Sequence, residues 1–573
     1  MGFKDSQVPK AGPVASGSLR LYCCPMAQEY RFRNSDTVGV ADAESDRTFL
    51  KECFIDTGQI DLLSDCLDHR RIVLGRTGSG KTALLNELSE RLSTVITIKP
   101  ESLALAYITN STILQFVHSL GVNLDTFFKL LWRHVFTVEV IKAHFHLDSP
   151  NAKEGLVDWL RGVFSDKRRQ HEKALAYLER WGSTFWEQTD YRIQELTTKF
   201  ESDLEASIGL EVPLSKMKLS GGETLSQEEK ASVIQRARYV VNQVQIQELS
   251  YVLDLLNSIL EDPKKRYYIV IDRLDEDWID EKLRYQLIRA LIETVRDFGK
   301  VQNAKIVIAL RHDLIDRVIR LSRGPGFQEE KYESMYLDLN WSSDDLIRIL
   351  DSRINKLVRR SYTKDLVTHK DLLPETINKY PTVNYLLERT LMRPRDVIMF
   401  FNACIRQARG SPIISPHMLK EAEGEYSRQR LRSLADEWIA DYPDLMDFVD
   451  ILKNRPSIFG VSEITDEQCF DLAVKLLEDG QNREGELKDL LRRIEVNPAD
   501  IEPFRNWLVA SFYRVSLVGL KLEAFEAVVW SNSGRRSISE AEIAPKTRVS
   551  IHPMFWRSLG INPQTTSEEP SGA

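Results

Sequence analysis

Residues 71–85 read RIVLGRTGSGKTALL, and no other stretch limits the fold so tightly. Ile72-Val73-Leu74 is a short apolar run of the kind that forms a buried strand, and the residues after Lys81 have helical spacing. Between them stand Gly75, Arg76, Thr77, Gly78, Ser79, Gly80, Lys81 and Thr82, a complete G-x-x-x-x-G-K-[ST] pattern. Its glycines allow the backbone to curl until successive N–H groups converge on one anion. The helix that follows places its positive end beneath that anion. Lys81 then reaches the β- and γ-phosphates of a nucleotide, and Thr82 offers its hydroxyl to Mg²⁺. Arg76, the first variable position of the loop, is expected to face solvent.

A phosphate loop needs carboxylates on a neighbouring strand before it can support hydrolysis. YYIVIDRLDEDW (267–278) supplies them. Asp272 closes an apolar strand and is the expected Mg²⁺ ligand, acting directly or through water. Many ring-forming ATPases carry a catalytic glutamate next, but this chain has Arg273, which accepts no proton. The proton acceptor or water-orienting group must then come from Asp275 or Glu276 in the loop beyond, with Glu276 the first candidate and Asp275 the next, acting through the metal's water shell. Further strands are read at Thr94–Ile98, Ala304–Leu310 and Ser334–Leu339, the first as a buried strand, with a helix over about 279–298. Strands alternating with helices imply a parallel sheet covered on both faces.

The fold class expected is α/β: a three-layer P-loop core with a helical insertion, a helical lid and a C-terminal winged-helix-like α+β domain. The segments are 1–35 (tail), 36–101 (first part of the core), 102–262 (insertion) and 263–340 (second part of the core). They continue with 341–438 (lid, helical to about Trp438), 439–562 (winged-helix-like) and 563–573 (polar tail). The last domain is expected to finish in a hairpin over 523–543 that turns at Asn532-Ser533-Gly534. Arg535 and Arg536 sit at its tip, where a wing lies along a DNA backbone.

Composition narrows the field. A net charge of −8 and a pI near 5.9 exclude a globally basic nucleic-acid binder. Six cysteines form no C-x-x-C pair, which fits neither a zinc site nor a disulfide framework and suits a reducing cytoplasm. No apolar run approaches the ~20 residues of a membrane span. His144 and His146 fall on different sides of a helix and do not form a metal pair. KLSGGE (218–223) imitates the signature loop of ABC-type ATPases, but about fifty residues separate it from Asp272. Ser226 and Glu229 after it read as a capping box that starts an ordinary helix.

GRTGSGKT combined with IVIDRLDE resembles the STAND and KAP branches of P-loop ATPases, relatives of AAA+ proteins. FIDTG (54–58), IDRLDEDW (271–278) and RPRD (393–396) are similar to a group of bacterial P-loop ATPases, several of them encoded beside anti-phage genes. The resemblance implies that Arg311, at the end of KIVIALRHD, senses the γ-phosphate. It also implies that Arg393 or Arg395, at a proline-initiated lid helix, points toward the nucleotide. It further implies ATP with Mg²⁺ as ligands, hydrolysis used as a conformational switch, homo-oligomerisation, and a separate effector protein in bacterial defence. A DNA-handling ATPase resembling replication initiators and a nucleotide-binding scaffold with little turnover stand as alternatives.

Overall fold

The structure, a computed structural model, describes residues 30–100, 124–145, 172–177, 249–276, 281–321, 330–359, 365–479, 485–531 and 538–563. The first helices are α1 (Arg47–Cys53) and α2 (Gln59–Ser64). A five-stranded sheet follows, built from β1 (Ile72–Leu74), β2 (Val95–Ile98), β3 (Tyr267–Ile271), β4 (Ala304–Leu310) and β5 (Tyr336–Asp338). Its order is β2-β3-β4-β1-β5 and every pairing is parallel. Parallel neighbours need crossover helices. Those are α3 (Lys81–Arg91), α6 (Glu281–Asp297) and α7 (His312–Leu321). Every residue of β1, β3 and β4 is buried, as their uninterrupted apolar runs require of strands covered on both faces. Because β4 lies between β1 and β3, the carboxyl ends of all three open on one edge. That brings Gly75, Asp272 and Arg311 to the same rim. The chain has an α/β P-loop core with helical additions.

β2 departs from the expected buried strand. It sits at the sheet edge, with Val95 and Ile96 half-buried and Thr97 exposed. Its β-branched residues reflect pairing with β3, through Val95 opposite Tyr268, not burial on two faces. The described part of the insertion includes α4 (Asp125–Phe145) and α5 (Leu249–Ile259). Helix α4 packs on α6, where the Trp132 indole donates to the Leu287 carbonyl at 3.0 Å.

The lid comprises α8 (Ser343–Arg359), α9 (Pro394–Gln407) and α10 (Pro416–Glu437). It is not helical throughout. A two-residue hairpin, β6 (Thr376–Ile377) and β7 (Tyr380–Pro381), turns through Asn378 and Lys379 at φ 52° and 66°. Positive φ at both central residues is what a tight hairpin demands.

The C-terminal sheet joins β8 (Ile458–Gly460), β9 (Val518–Lys521) and β10 (Arg548–Ile551) in the antiparallel order β8-β10-β9. Helices α11 (Asp466–Glu478), α12 (Glu486–Val496) and α13 (Ile501–Arg514) lie between β8 and β9. A strand, three helices and an antiparallel strand pair thus follow one another in this segment. The hairpin expected within 523–543 is replaced by the wider pair β9–β10. Residues 523–531 pair with the sheet backbone at Val529 opposite Leu520, with Val528 and Trp530 packed against Gly519, and 540–542 form a 3₁₀ turn. The predicted turn at 532–534 lies outside the described residues.

Lid and C-terminal segment share one apolar core, to which Leu350, Phe400, Tyr426, Phe504 and Val549 all belong. The Phe400 and Tyr426 rings stack 4.6 Å apart, and Ser427 on α10 meets Ser558 at 3.1 Å. The cores on the two faces of the parallel sheet are separate from it. Among the described residues no helix is long and apolar enough to cross a membrane.

Candidate phosphate-binding site

Gly78 and Gly80 take φ values of +81° and +99°, a left-handed backbone that side chains rarely adopt. A Cβ on Gly78 would lie 2.7 Å from Cβ of Arg395, and one on Gly75 would lie 2.3 Å from the Ser79 hydroxyl. The loop is therefore too tight for larger residues at these positions. Among the described residues the N–H groups of Gly78, Gly80, Lys81 and Thr82 have no hydrogen-bond partner, the last two being free donors of the first turn of α3. The hydroxyls of Thr77 and Ser79 are also buried without partners.

Lys81 folds back onto the loop, donating to the carbonyls of Gly75 at 2.9 Å and Arg76 at 3.2 Å. Burial pushes its pKa down, opposed first by Asp275 and then by Asp272. The Thr82 hydroxyl donates to Asp272 Oδ2 at 2.6 Å. A hydroxyl and a carboxylate in contact beside a free anion cradle fit Mg²⁺ arriving with a nucleotide, since that ion takes few protein oxygens and completes its shell with phosphate and water. Unpartnered N–H groups, two orphaned hydroxyls and a buried lysine likewise fit a polyphosphate.

The acidic loop divides its two candidates. Arg273 has φ 61° and donates its N–H to Asp272 Oδ1 at 2.9 Å. Its guanidinium pairs with Glu44 and, at 3.5 Å, with Glu276. Glu276 is exposed and turned to that cation. Asp275 instead lies 3.6 Å from Arg311. Arg311 is held by Asp313 at 2.8 Å and by the Glu437 carbonyl at 3.4 Å. Burial opposes its charge, but Asp313, Glu437 and Asp275 more than offset that, and its pKa rises.

The lid arginines meet the outside of the loop. Arg393 is buried, donates to the Thr77 carbonyl at 2.7 Å and is paired with Asp396 at 3.0 Å. The Arg395 N–H reaches the Gly78 carbonyl at 3.4 Å, and its side chain lies over Gly78 and donates to the Ala41 carbonyl at 3.2 Å.

Arg76 does not face solvent. Its guanidinium is directed into the C-terminal segment, where it bonds the Ser516 hydroxyl and, at 2.7 Å, the Ser531 carbonyl. Burial first, and the charge of Arg393 second, hold its pKa down at about 10. The physical reason is the shared core: it carries the loop after α13 up to the phosphate loop.

Sequence reasoning missed two contributors. Trp341 donates its indole N–H to the Ser79 carbonyl at 2.7 Å. Its only advance signal was a tryptophan immediately before the capping serine of a lid helix. Segment 37–46 also crosses the site, tied down by Val38 N–H to Asn402 at 2.9 Å and Asp46 to Arg353 at 2.6 Å. His144 bonds the Tyr267 hydroxyl at 3.0 Å. KLSGGE, His146, Arg535 and Arg536 lie outside the described residues.

Comparison with known proteins adds the following. Residues 344–435, α8 through α10, match the family model of a FunZ-associated C-terminal helical domain. Over 558 residues the chain is 21% identical to the putative transposon gamma-delta 80.3 kDa protein of Escherichia coli (strain K12), covering 93% of this chain and 68% of that protein. Among solved structures, the Walker-type ATPase PABY2304 of Pyrococcus abyssi aligns with a TM-score of 0.35 at 11% identity, over 92% of this chain and 99% of that one. Cdc6p from Pyrobaculum aerophilum aligns with a TM-score of 0.25 at 12% identity, over 88% and 89% respectively.

Proposed function

We propose that this chain is a Mg²⁺-dependent ATPase of the AAA+-related kind, whose nucleotide state sets the position of its C-terminal half. The observation that carries the reading is the contact of Thr82 with Asp272 at 2.6 Å beside a loop of unpartnered N–H groups. The loop amides and Lys81 bind the phosphates, and Asp272 with Thr82 hold the metal. When bound, Mg²⁺ neutralises charge that develops on the transferred phosphoryl group. Asp275 orients and deprotonates water, and Arg311 both positions Asp275 and stabilises the phosphate charge.

The switch reading is supported by the seam. Arg76 and Arg311 reach from loop and sheet to Ser516, Ser531 and Glu437 in the body formed by lid and C-terminal segment, and Arg393 reaches back from the lid to the Thr77 carbonyl. A DNA-handling ATPase, the second reading, draws on the order of strand, helices and strand pair in the C-terminal segment, which resembles a winged helix, and on a relative described as a transposon protein. Against base reading by α13, that helix is buried along most of its length, including Phe504, Trp507, Leu508 and Phe512. DNA contact would then fall to the wing. The motif resemblance supports a place in bacterial anti-phage defence, beside a separate effector and as a homo-oligomer in the cytoplasm.

Release of phosphate from ATP by the purified chain tests the central claim. Lys81→Ala is expected to abolish nucleotide binding, and Asp272→Ala to retain binding while losing Mg²⁺-dependent turnover. Turnover at the parental rate by Asp272→Ala would remove the assignment.

A further inference from the structure

The phosphate loop is held from behind as well as curled from within. The Thr77 carbonyl is gripped by Arg393, the Gly78 carbonyl by the Arg395 N–H, and the Ser79 carbonyl by Trp341. The last contact has a direct consequence for the cradle. In a trans peptide the C=O and the following N–H point in opposite directions, and the described residues contain no cis peptide bond. Fixing the Ser79 carbonyl against the indole therefore aims the Gly80 N–H away from Trp341. That N–H has no partner among the described residues and lies next to the equally free donors of Lys81 and Thr82.

Trp341 is itself held on both sides. Two residues before it, the Leu339 N–H donates to the Leu74 carbonyl at 2.8 Å, which extends β5 along β1. One residue after it, the Ser342 N–H donates to the Asp345 carboxylate at 3.3 Å and the Asp345 N–H to the Ser342 hydroxyl at 3.1 Å, a capping box that starts α8. The indole thus stands where the sheet passes into the lid. Its ring lies 3.6 Å from the place a Cβ would occupy on Gly80, so it also closes the space behind that residue.

We propose that Trp341 is a positioning residue of the phosphate site: its indole N–H orients the Ser79–Gly80 peptide so that the Gly80 N–H is presented to the nucleotide phosphates. The inference rests on the ATPase reading above and deepens it. The ligand is a nucleoside di- or triphosphate. Trp341 touches the loop and not the reacting atoms, so its effect falls on ground-state affinity, shared by ATP and ADP, and not on the chemical step. Loss of one neutral hydrogen bond of this kind weakens binding about two- to tenfold.

The test compares full-length wild type, Trp341→Phe, and a variant with benzothienylalanine at 341, which keeps the bicyclic shape and replaces N–H by sulfur. Binding of MgATP and MgADP is measured by titration calorimetry, kcat by phosphate release, and thermal unfolding without nucleotide. The expected result is a parallel loss of affinity for both nucleotides, kcat within about twofold of wild type, and an unchanged melting temperature for the isostere. If Trp341→Phe does not fold, the isostere alone decides. An isostere that binds both nucleotides as wild type does, or one that loses kcat at unchanged affinity, overturns the inference while the ATPase reading stands. A wild-type protein that binds neither nucleotide removes the reading itself and the inference with it.

Discussion

Replacing Arg76 by methionine keeps the aliphatic stem and removes the one guanidinium that runs from the phosphate loop into the C-terminal body. Two charge-assisted hydrogen bonds are lost, to the Ser516 hydroxyl and the Ser531 carbonyl. At ~1.5–3 kcal/mol each they are worth roughly 3–6 kcal/mol. Burial works against them. It holds the guanidinium pKa near 10, and at ~1.4 kcal/mol per pH unit this costs the charged form about 3 kcal/mol. The balance leaves ~0–3 kcal/mol holding the bodies together, with a midpoint that corresponds to about a tenfold shift in the docking equilibrium. The variant should therefore fold normally while residues 516–531 exchange amide hydrogens faster, and release of fluorescent ADP should quicken about tenfold. Both are read on one preparation, by mass-spectrometric hydrogen exchange and stopped flow. Wild-type protection across 516–531 with and without nucleotide, together with an unchanged release rate, would refute the coupling.

Two other predictions concern the acidic loop, where the structure reverses the order in which the sequence ranks Glu276 and Asp275, and the buried Lys305. Asp275→Asn is expected to lower kcat by ~10²–10⁴ with binding retained, and Glu276→Gln to stay within about threefold, in single-turnover hydrolysis of radiolabelled ATP; the reverse order would refute the assignment of Asp275. Lys305, buried on β4 against the carbonyls of Leu62 and Asp65 at 2.8 and 2.7 Å, has its pKa pushed down to about 8 by burial first and by Arg71 second. Between pH 8 and roughly 10 the unfolded chain holds a proton there that the folded chain has lost, so stability rises with pH by up to ~3 kcal/mol; urea unfolding at pH 7.5 and 10 should show that rise in wild type and not in Lys305→Met.

The parts legible in the sequence were those whose partners lie close in the chain or whose chemistry is rigid. Uninterrupted apolar runs gave β1, β3 and β4, because a strand covered on both faces tolerates little else. The loop residues could be read because only glycine accepts the backbone at 78 and 80. Asp272 stood out as the acid that ends such a run. What escaped depends on distant partners. Arg76 meets residues 440 and 455 positions away, and Trp341 meets one 262 positions away. Nothing in the local spacing around either residue records those contacts. Lys305 was visible as a lysine within an apolar strand, but its acceptors are carbonyls at the end of α2, which no side-chain pattern announces. The choice between Asp275 and Glu276 turned on Arg273, whose left-handed backbone sets where its guanidinium goes.

The shared core constrains how any nucleotide cycle can proceed. In a chain where lid and C-terminal domain packed separately, hydrolysis could swing the lid alone. Here Phe400 and Tyr426 of the lid and Phe504 and Val549 of the C-terminal segment belong to one apolar cluster. Parting them would expose large side chains at roughly 1.5–3 kcal/mol each. The seam to the sheet is different in kind: Arg76, Arg311 and Arg317 cross it from the sheet side and Arg393 from the lid side, to hydroxyl, carbonyl and carboxylate partners. Water can replace those partners, so opening there costs far less than splitting the core. Under the proposed switch, a change at the phosphate loop would move lid and C-terminal body as one, with Ser531, next to the expected wing tip, tied directly to Arg76. Whatever the wing contacts, DNA or protein, would gain or lose affinity with nucleotide state, and by linkage would alter nucleotide affinity by the same factor.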